Sequence, residues 1–148
     1  MIQDTLIVTS PALIIAIPLL FSFLISLIGR FSKRLTKVFF TTALILTFLF
    51  VGLMTYEILT EGSWFYVFGA EEPSPRNIIS YFRISFLADS FGALGTITMS
   101  ITAICIGIFS HSYMEGENDL EKYYALFLIT LAGINGMILT SDLFNMFV

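Results

Sequence analysis

The chain has 148 residues, of which 57% are hydrophobic and 12% are charged, whereas soluble domains carry charge on about a quarter of their residues. This composition excludes an ordinary soluble domain and, because a helix needs about 20 apolar residues to cross a bilayer, predicts an integral membrane protein. The net charge of -4, with the basic residues concentrated in one loop, excludes nucleic acid as a partner.

The first two spans are predicted at residues 6–28 and 38–59. A cleaved signal peptide is the alternative for the first apolar run, but residues 1–5 contain no Lys or Arg and the run is longer than a signal segment. The loop 29–37 between the spans carries four basic residues and no acid, namely Arg30, Lys33, Arg34 and Lys37. Because Lys and Arg in short loops favour the cytoplasmic side, we expect this loop in the cytoplasm and the N-terminus outside.

Residues 60–83 are predicted to be an external loop with aromatic residues, including Trp64, and the third span is predicted at 84–110. Asp89 within it is typical of a helix-start residue. Small residues recur every three or four positions along this span: Ala88, Gly92, Thr96, Ser100, Ala103, Gly107 and Ser110. Such ridges let helices approach closely in lipid, so we interpret this one as a helix-packing surface. An ion path is the alternative.

The fourth span is predicted at 123–140, after a polar connection, and contains the packing candidates Gly133 and Gly136. Ser141 and Asp142 provide cap chemistry for a further helix at 142–148. The sequence thus predicts an all-α membrane domain, residues 1–148, with four transmembrane helices, the start of a fifth and no separate soluble domain.

The chain lacks the motifs of soluble enzymes, so we expect no catalytic residue, no metal site and no cofactor bound by the chain. Three residues are candidates for an ion path. His111 lies at a span end, where an interfacial side chain is the alternative to a proton relay. Asn135 lies within the fourth span and is interpreted as a hydrogen-bonding group between helices or as part of a hydrated cavity. Asp142 is interpreted as a helix cap, although an ionisable residue near a span is also a functional candidate.

Two stretches in order, ISFLADSFGALGTITMSITAICIGIFSHSYM and YYALFLITLAGINGMILTSDLFNMFV, resemble the third and fourth helices of a family of antiporter-like subunits. These subunits are shared by complex I, Mrp-type Na⁺/H⁺ antiporters, and archaeal membrane-bound hydrogenases and sulfur reductases. The resemblance covers roughly the last 65 residues at the level of sequence, and the first two spans by topology.

The resemblance implies a plasma-membrane subunit that packs with other membrane subunits and the lipid bilayer, while iron–sulfur clusters or other redox centres belong to partner subunits. In the family, a glutamate on the fifth helix and a lysine on the seventh take part in translocation, and neither can be assigned to a residue of this chain. Three interpretations follow: a short, mainly structural subunit that is not catalytic alone; a truncated form of a full-length H⁺- or Na⁺-translocating subunit; and an independent four-helix cation/proton carrier.

Overall fold

The computed structural model describes residues 9–29, 32–67, 85–114, 119–141 and 147. These residues form the elements α1 (Ser10–Ile28), α2 (Lys33–Glu61), β1 (Trp64–Val67), β2 (Ser85–Ala88), α3 (Ser90–Tyr113) and α4 (Leu120–Leu139). These 4 helices are long and apolar enough to cross a membrane, which confirms the predicted helical membrane fold. Of the predicted helix 142–148, only Phe147 is described, and Asp142 lies outside the described residues.

Two of the helix boundaries are explained by the residues found there, one of which binds a free backbone amide of the first turn and one of which ends the helical hydrogen bonding. Asp89 precedes α3, and its carboxylate accepts a hydrogen bond from the Gly92 amide at 2.7 Å, which confirms its interpretation as a helix-start residue. Gly62 ends α2 with a φ of 95°, a conformation that glycine adopts without a steric cost. The end of α2 and the start of α3 lie at the same end of the bundle, because β1 follows α2, β2 precedes α3, and the two strands pair with each other.

A short β-hairpin replaces part of what the sequence predicted as loop and helix. Strands β1 and β2 pair antiparallel, with Trp64 opposite Ala88 and Val67 opposite Ser85. The predicted third span began at residue 84, but its first residues form β2 because they pair with an aromatic strand across the connection. Ala88, predicted to be a helix-packing residue, is therefore a buried strand residue.

The helices alternate in direction, so the α1–α2 and α3–α4 connections lie at one end of the bundle and the β-hairpin lies at the other. We call the first the basic end, because Lys33 and Arg34 are exposed there, and the second the hairpin end. Helix α1 lies against both α2 and α4, and α3 also contacts these two helices. The end of α4 is joined to β2 by the Ser141 amide, which donates to the Ser85 carbonyl at 3.1 Å.

The interior contains two apolar clusters, one toward each end. The basic-end cluster includes Ile25, Phe40, Ala103, Leu128 and Leu131. The hairpin-end cluster consists of Ile14, Val51, Met54, Ile58, Ala88, Ala93 and Leu139. The outer helix faces are also apolar, with Phe23 71% and Leu59 79% exposed, as expected for surfaces that meet lipid or another membrane protein.

Candidate functional site

The small-residue ridge of α3 lies in the interior of the bundle. Its members from Gly92 onward, Gly92, Thr96, Ser100, Ala103, Gly107 and Ser110, are buried. A Cβ placed on Gly107 would lie 2.6 Å from Leu44 Cδ1 of α2, and one on Gly92 would lie 3.3 Å from Leu139 Cδ2 of α4. The ridge thus brings α3 close to both neighbours.

The two glycines of α4 occupy different environments. A Cβ placed on Gly136 would lie 3.8 Å from Ile15 Cδ1 of α1, whereas one on Gly133 would meet nothing within 4 Å. Gly133 is exposed. Gly136 therefore faces a helix of the bundle, and Gly133 faces outward.

His111 lies at the basic end, where the last turn of α3 meets the first turns of α2. Its Nε2 atom is 2.9 Å from the Thr41 hydroxyl oxygen, and this hydroxyl donates its single proton to the Lys37 carbonyl at 2.9 Å. The Lys37 ammonium donates to the His111 carbonyl at 3.3 Å. A cation at that position complements the negative end of the α3 dipole. The arrangement ties two helix ends together through one histidine and one lysine.

Aromatic rings surround this histidine on its interior side. Phe40 stacks on Tyr124, with ring centroids 4.2 Å apart, and the His111 and Tyr124 rings lie 6.0 Å apart. Tyr124 is fully buried, and its hydroxyl has no hydrogen-bond partner among the described residues. The histidine thus borders an apolar aromatic packing layer.

The sequence contains no signal that connects Lys37, Thr41 or Tyr124 with His111. Lys37 and Thr41 are four residues apart on a helix, and this spacing places them on one face. Their partner, however, follows 74 and 70 residues later. No local pattern in the sequence indicates that the two helix ends meet.

Asn135 is fully buried in α4, and it lies four residues before the last residue of that helix. Neither its Oδ1 nor its Nδ2 atom has a hydrogen-bond partner in the described part of the chain. The interpretation of Asn135 as a direct hydrogen-bonding group between helices is therefore not matched by a bond in this structure. The side chain keeps unused capacity both to donate and to accept.

The structure does not bring the predicted ion-path residues together. His111 lies at the basic end, and Asn135 lies near the hairpin end of α4. An open groove of about 420 Å³ at the hairpin end is lined by Leu87, Asp89, Phe91, Ile134, Met137, Ile138 and Thr140. Among the described residues, no group of three His, Cys, Asp or Glu side chains could hold a metal ion.

Comparison with known proteins identifies relatives in two kinds of assembly. The chain is 29% identical over 134 residues to a Na⁺/H⁺ antiporter subunit of Bacillus subtilis, covering 90% of this chain and 26% of the relative. It is 26% identical over 145 residues to a Na⁺/H⁺ antiporter subunit of Alkalihalophilus pseudofirmus, covering 91% and 27%. It is 28% identical over 142 residues to an NADH-quinone oxidoreductase subunit of Desulforudis audaxviator, covering 93% and 27%.

These similarities confirm the predicted resemblance to antiporter-like membrane subunits and extend it over the first two helices. The chain spans about a quarter of the length of these relatives. No protein-family model matches the chain.

Proposed function

We propose that this chain is a mainly structural antiporter-like membrane subunit that serves as a four-helix scaffold in a multisubunit ion-translocating assembly of the Mrp or complex I type. The observation that carries this proposal is the similarity, over nine-tenths of the chain, to subunits of Na⁺/H⁺ antiporters and of an NADH-quinone oxidoreductase. The translocated ion belongs to the assembly, and H⁺ and Na⁺ are both compatible with these relatives.

The interior of the bundle supports a scaffold rather than an independent carrier. The buried polar residues of the described chain are all uncharged: Ser10, Ser22, Thr36, Thr47, Thr96, Ser100, Ser110 and Asn135. A carrier that exchanges cations for protons needs an ionisable group within the bilayer, and such groups are normally buried against protein or water. The described interior instead contains hydroxyls and one amide, which suit helix packing.

An H⁺- or Na⁺-translocating subunit is the second candidate, because the relatives are subunits of Na⁺/H⁺ antiporters and of an NADH-quinone oxidoreductase. Both candidates assign the same scaffold role to these four helices. In both, the chain is not catalytic alone, the translocating charges lie on other segments or subunits, and any iron–sulfur clusters or other redox centres belong to partners.

We further propose a plasma-membrane location with the basic end in the cytoplasm. Lys33 and Arg34 are exposed at the start of α2, and basic residues beside spans favour the cytoplasmic side. The hairpin end, with the start of α1, then lies outside.

Co-isolation from native membranes tests the scaffold role. The full chain with a C-terminal tag is purified in a mild detergent and analysed by native electrophoresis and mass spectrometry, beside an unrelated tagged membrane protein of similar size. We expect this chain, and not the control, to migrate with other membrane subunits of an antiporter or oxidoreductase assembly. Migration as a lone monomer or homodimer would contradict the proposal.

Reconstitution provides the complementary measurement. In vesicles containing only the purified chain, we expect no Na⁺-dependent proton flux above that of protein-free vesicles. A flux that scales with the amount of chain would favour the independent carrier and contradict the scaffold role.

A further inference from the structure

In each helix, at least one buried residue that is not an ordinary apolar one lies between the basic-end cluster and the hairpin-end cluster. These residues are Pro18 and Ser22 in α1, Thr47 in α2, Thr96 and Ser100 in α3, and Asn135 in α4. In α4, for example, Leu131 belongs to the basic-end cluster and Leu139 to the hairpin-end cluster, with Asn135 between them. We call these six residues the central polar layer.

Contacts between the helices show how the members of this layer are placed along the bundle. Gly136, the neighbour of Asn135, faces Ile15 of α1, which is one turn from Pro18. On the other side, Gly107 of α3 faces Leu44 of α2. From this contact toward the hairpin end, Ser100 lies about two turns along α3, whereas Thr47 lies less than one turn along α2. The layer thus lies between the two apolar clusters in every helix, and its members are staggered along the bundle axis.

The layer contains more hydrogen-bonding capacity than its own residues use. The Asn135 amide and the Ser100 hydroxyl have no partner among the described residues, although Asn135 is fully buried and Ser100 is 3% exposed. Pro18 has no amide N–H, so the Ile14 carbonyl lacks its helical donor. Thr47 and Thr96 instead donate to carbonyls of their own helices, each at 2.8 Å, and Ser22 donates to a carbonyl of α4 at 2.9 Å. Buried groups of this kind are normally satisfied by protein or by ordered water.

We infer that the central polar layer is a water-binding site in the core of the bundle, with Asn135 and Ser100 as its anchors. A ligand of Asn135 must accept from Nδ2 and donate to Oδ1, and water does both. A monovalent cation engages only the oxygen, leaves the N–H groups unpaired, and finds no carboxylate in the layer to balance its charge. Water bound to several polar partners also satisfies carbonyls freed by proline in membrane helices.

Water-edited solid-state NMR on the full chain in lipid bilayers tests this inference. Magnetisation is transferred from water protons to ¹⁵N-labelled asparagine side chains, and the Asn135 signal is identified as the one lost in Asn135→Leu. We expect the Asn135 amide to receive water magnetisation several-fold faster than the methyl groups of Leu131 and Leu139. Transfer as slow as to these methyl groups would overturn the inference, as would a through-bond coupling from the amide to a carbonyl of another helix.

Two further experiments test whether Ser100 belongs to the site and whether its ligand is water or a cation. Ser100→Ala should slow the transfer to Asn135, whereas Thr98→Ala should not, because the Thr98 hydroxyl is exposed and donates to the Leu94 carbonyl of its own helix. Equal effects of the two variants would contradict a role for Ser100 in the site. Replacing Na⁺ by K⁺ should leave the Asn135 shifts unchanged, and a Na⁺-dependent shift would indicate a cation site and overturn the water site.

Discussion

Hydroxyl groups of the interior serve two different purposes, and the distinction depends on the acceptor of each. Thr36, Thr47 and Thr96 donate to carbonyls one turn earlier in their own helices. Such bonds satisfy the hydroxyl without joining helices. Ser22 instead donates to the Ala125 carbonyl of α4 at 2.9 Å, and this bond is buried. It directly links α1 to α4.

Replacement of Ser22 by alanine should therefore destabilise the bundle. The expected loss in free energy of unfolding is about 0.6 to 2 kcal/mol, the range for hydrogen bonds between membrane helices. Ser26→Ala is the matched control, because Ser26 donates to the Ser22 carbonyl of its own helix at 3.1 Å. Unfolding in mixed micelles of increasing SDS content measures both. A control that loses as much stability as Ser22→Ala would contradict the interhelical role.

At the same scale, local chemistry was predictable from the sequence and long-range pairing was not. Asp89 was identified as a helix-start residue because a cap involves only the next few residues. The contacts of His111 with Lys37 and Thr41 join positions at least 70 residues apart, and periodicity carries no information about them. The lack of a hydrogen-bond partner for the Asn135 amide among the described residues likewise depends on the groups around it, which the sequence does not indicate.

The helices were predictable because their apolar runs are long, while the hairpin was not. An apolar stretch of four or five residues is compatible with a strand or with one turn of helix. Residues 85–88 were assigned to the third span for that reason, although they pair with β1. The aromatic residues Trp64, Phe65 and Tyr66 favour strands, but a membrane-interface belt uses the same residue types. Residues 85–88 form a strand because they pair with β1.

The packing of α3 on α2 leads to a second stability prediction. Gly107→Ala places a methyl group 2.6 Å from Leu44 Cδ1 and 3.3 Å from Phe40 Cε1, so the helices must separate or the side chains must leave their rotamers. Overpacking of this kind costs about 1 to 3 kcal/mol. We expect a corresponding fall in stability in the same SDS titration.

Gly52→Ala in α2 is the control for the glycine substitution itself, because a Cβ at this position would meet nothing within 4 Å. Alanine favours a helix over glycine by about 1 kcal/mol, so this variant should be as stable as the parent or more stable. If Gly107→Ala were equally well tolerated, the close approach of α3 to α2 at this point would be disproved.

For the whole molecule, the main asymmetry is between the two ends of the bundle. The basic end displays Lys33 and Arg34 at the start of α2, whereas the hairpin end displays aromatic residues such as Phe65, which is 67% exposed. Amphipathic and aromatic residues suit a membrane interface, and clustered cations favour the cytoplasmic side. The two ends thus differ in the residues that they expose, and the proposed orientation rests on this difference.

Single-cysteine labelling checks this direction. Cys105 is exposed, so Cys105→Ser is first introduced, and Arg34→Cys or Ser63→Cys is then added to that background. Both added positions are exposed, at the basic end and the hairpin end respectively. With a membrane-impermeant maleimide, Ser63→Cys should label in intact cells, whereas Arg34→Cys should label only after the cells are permeabilised. The reverse pattern would place the basic end outside, and the orientation inferred from the basic loop would then be wrong.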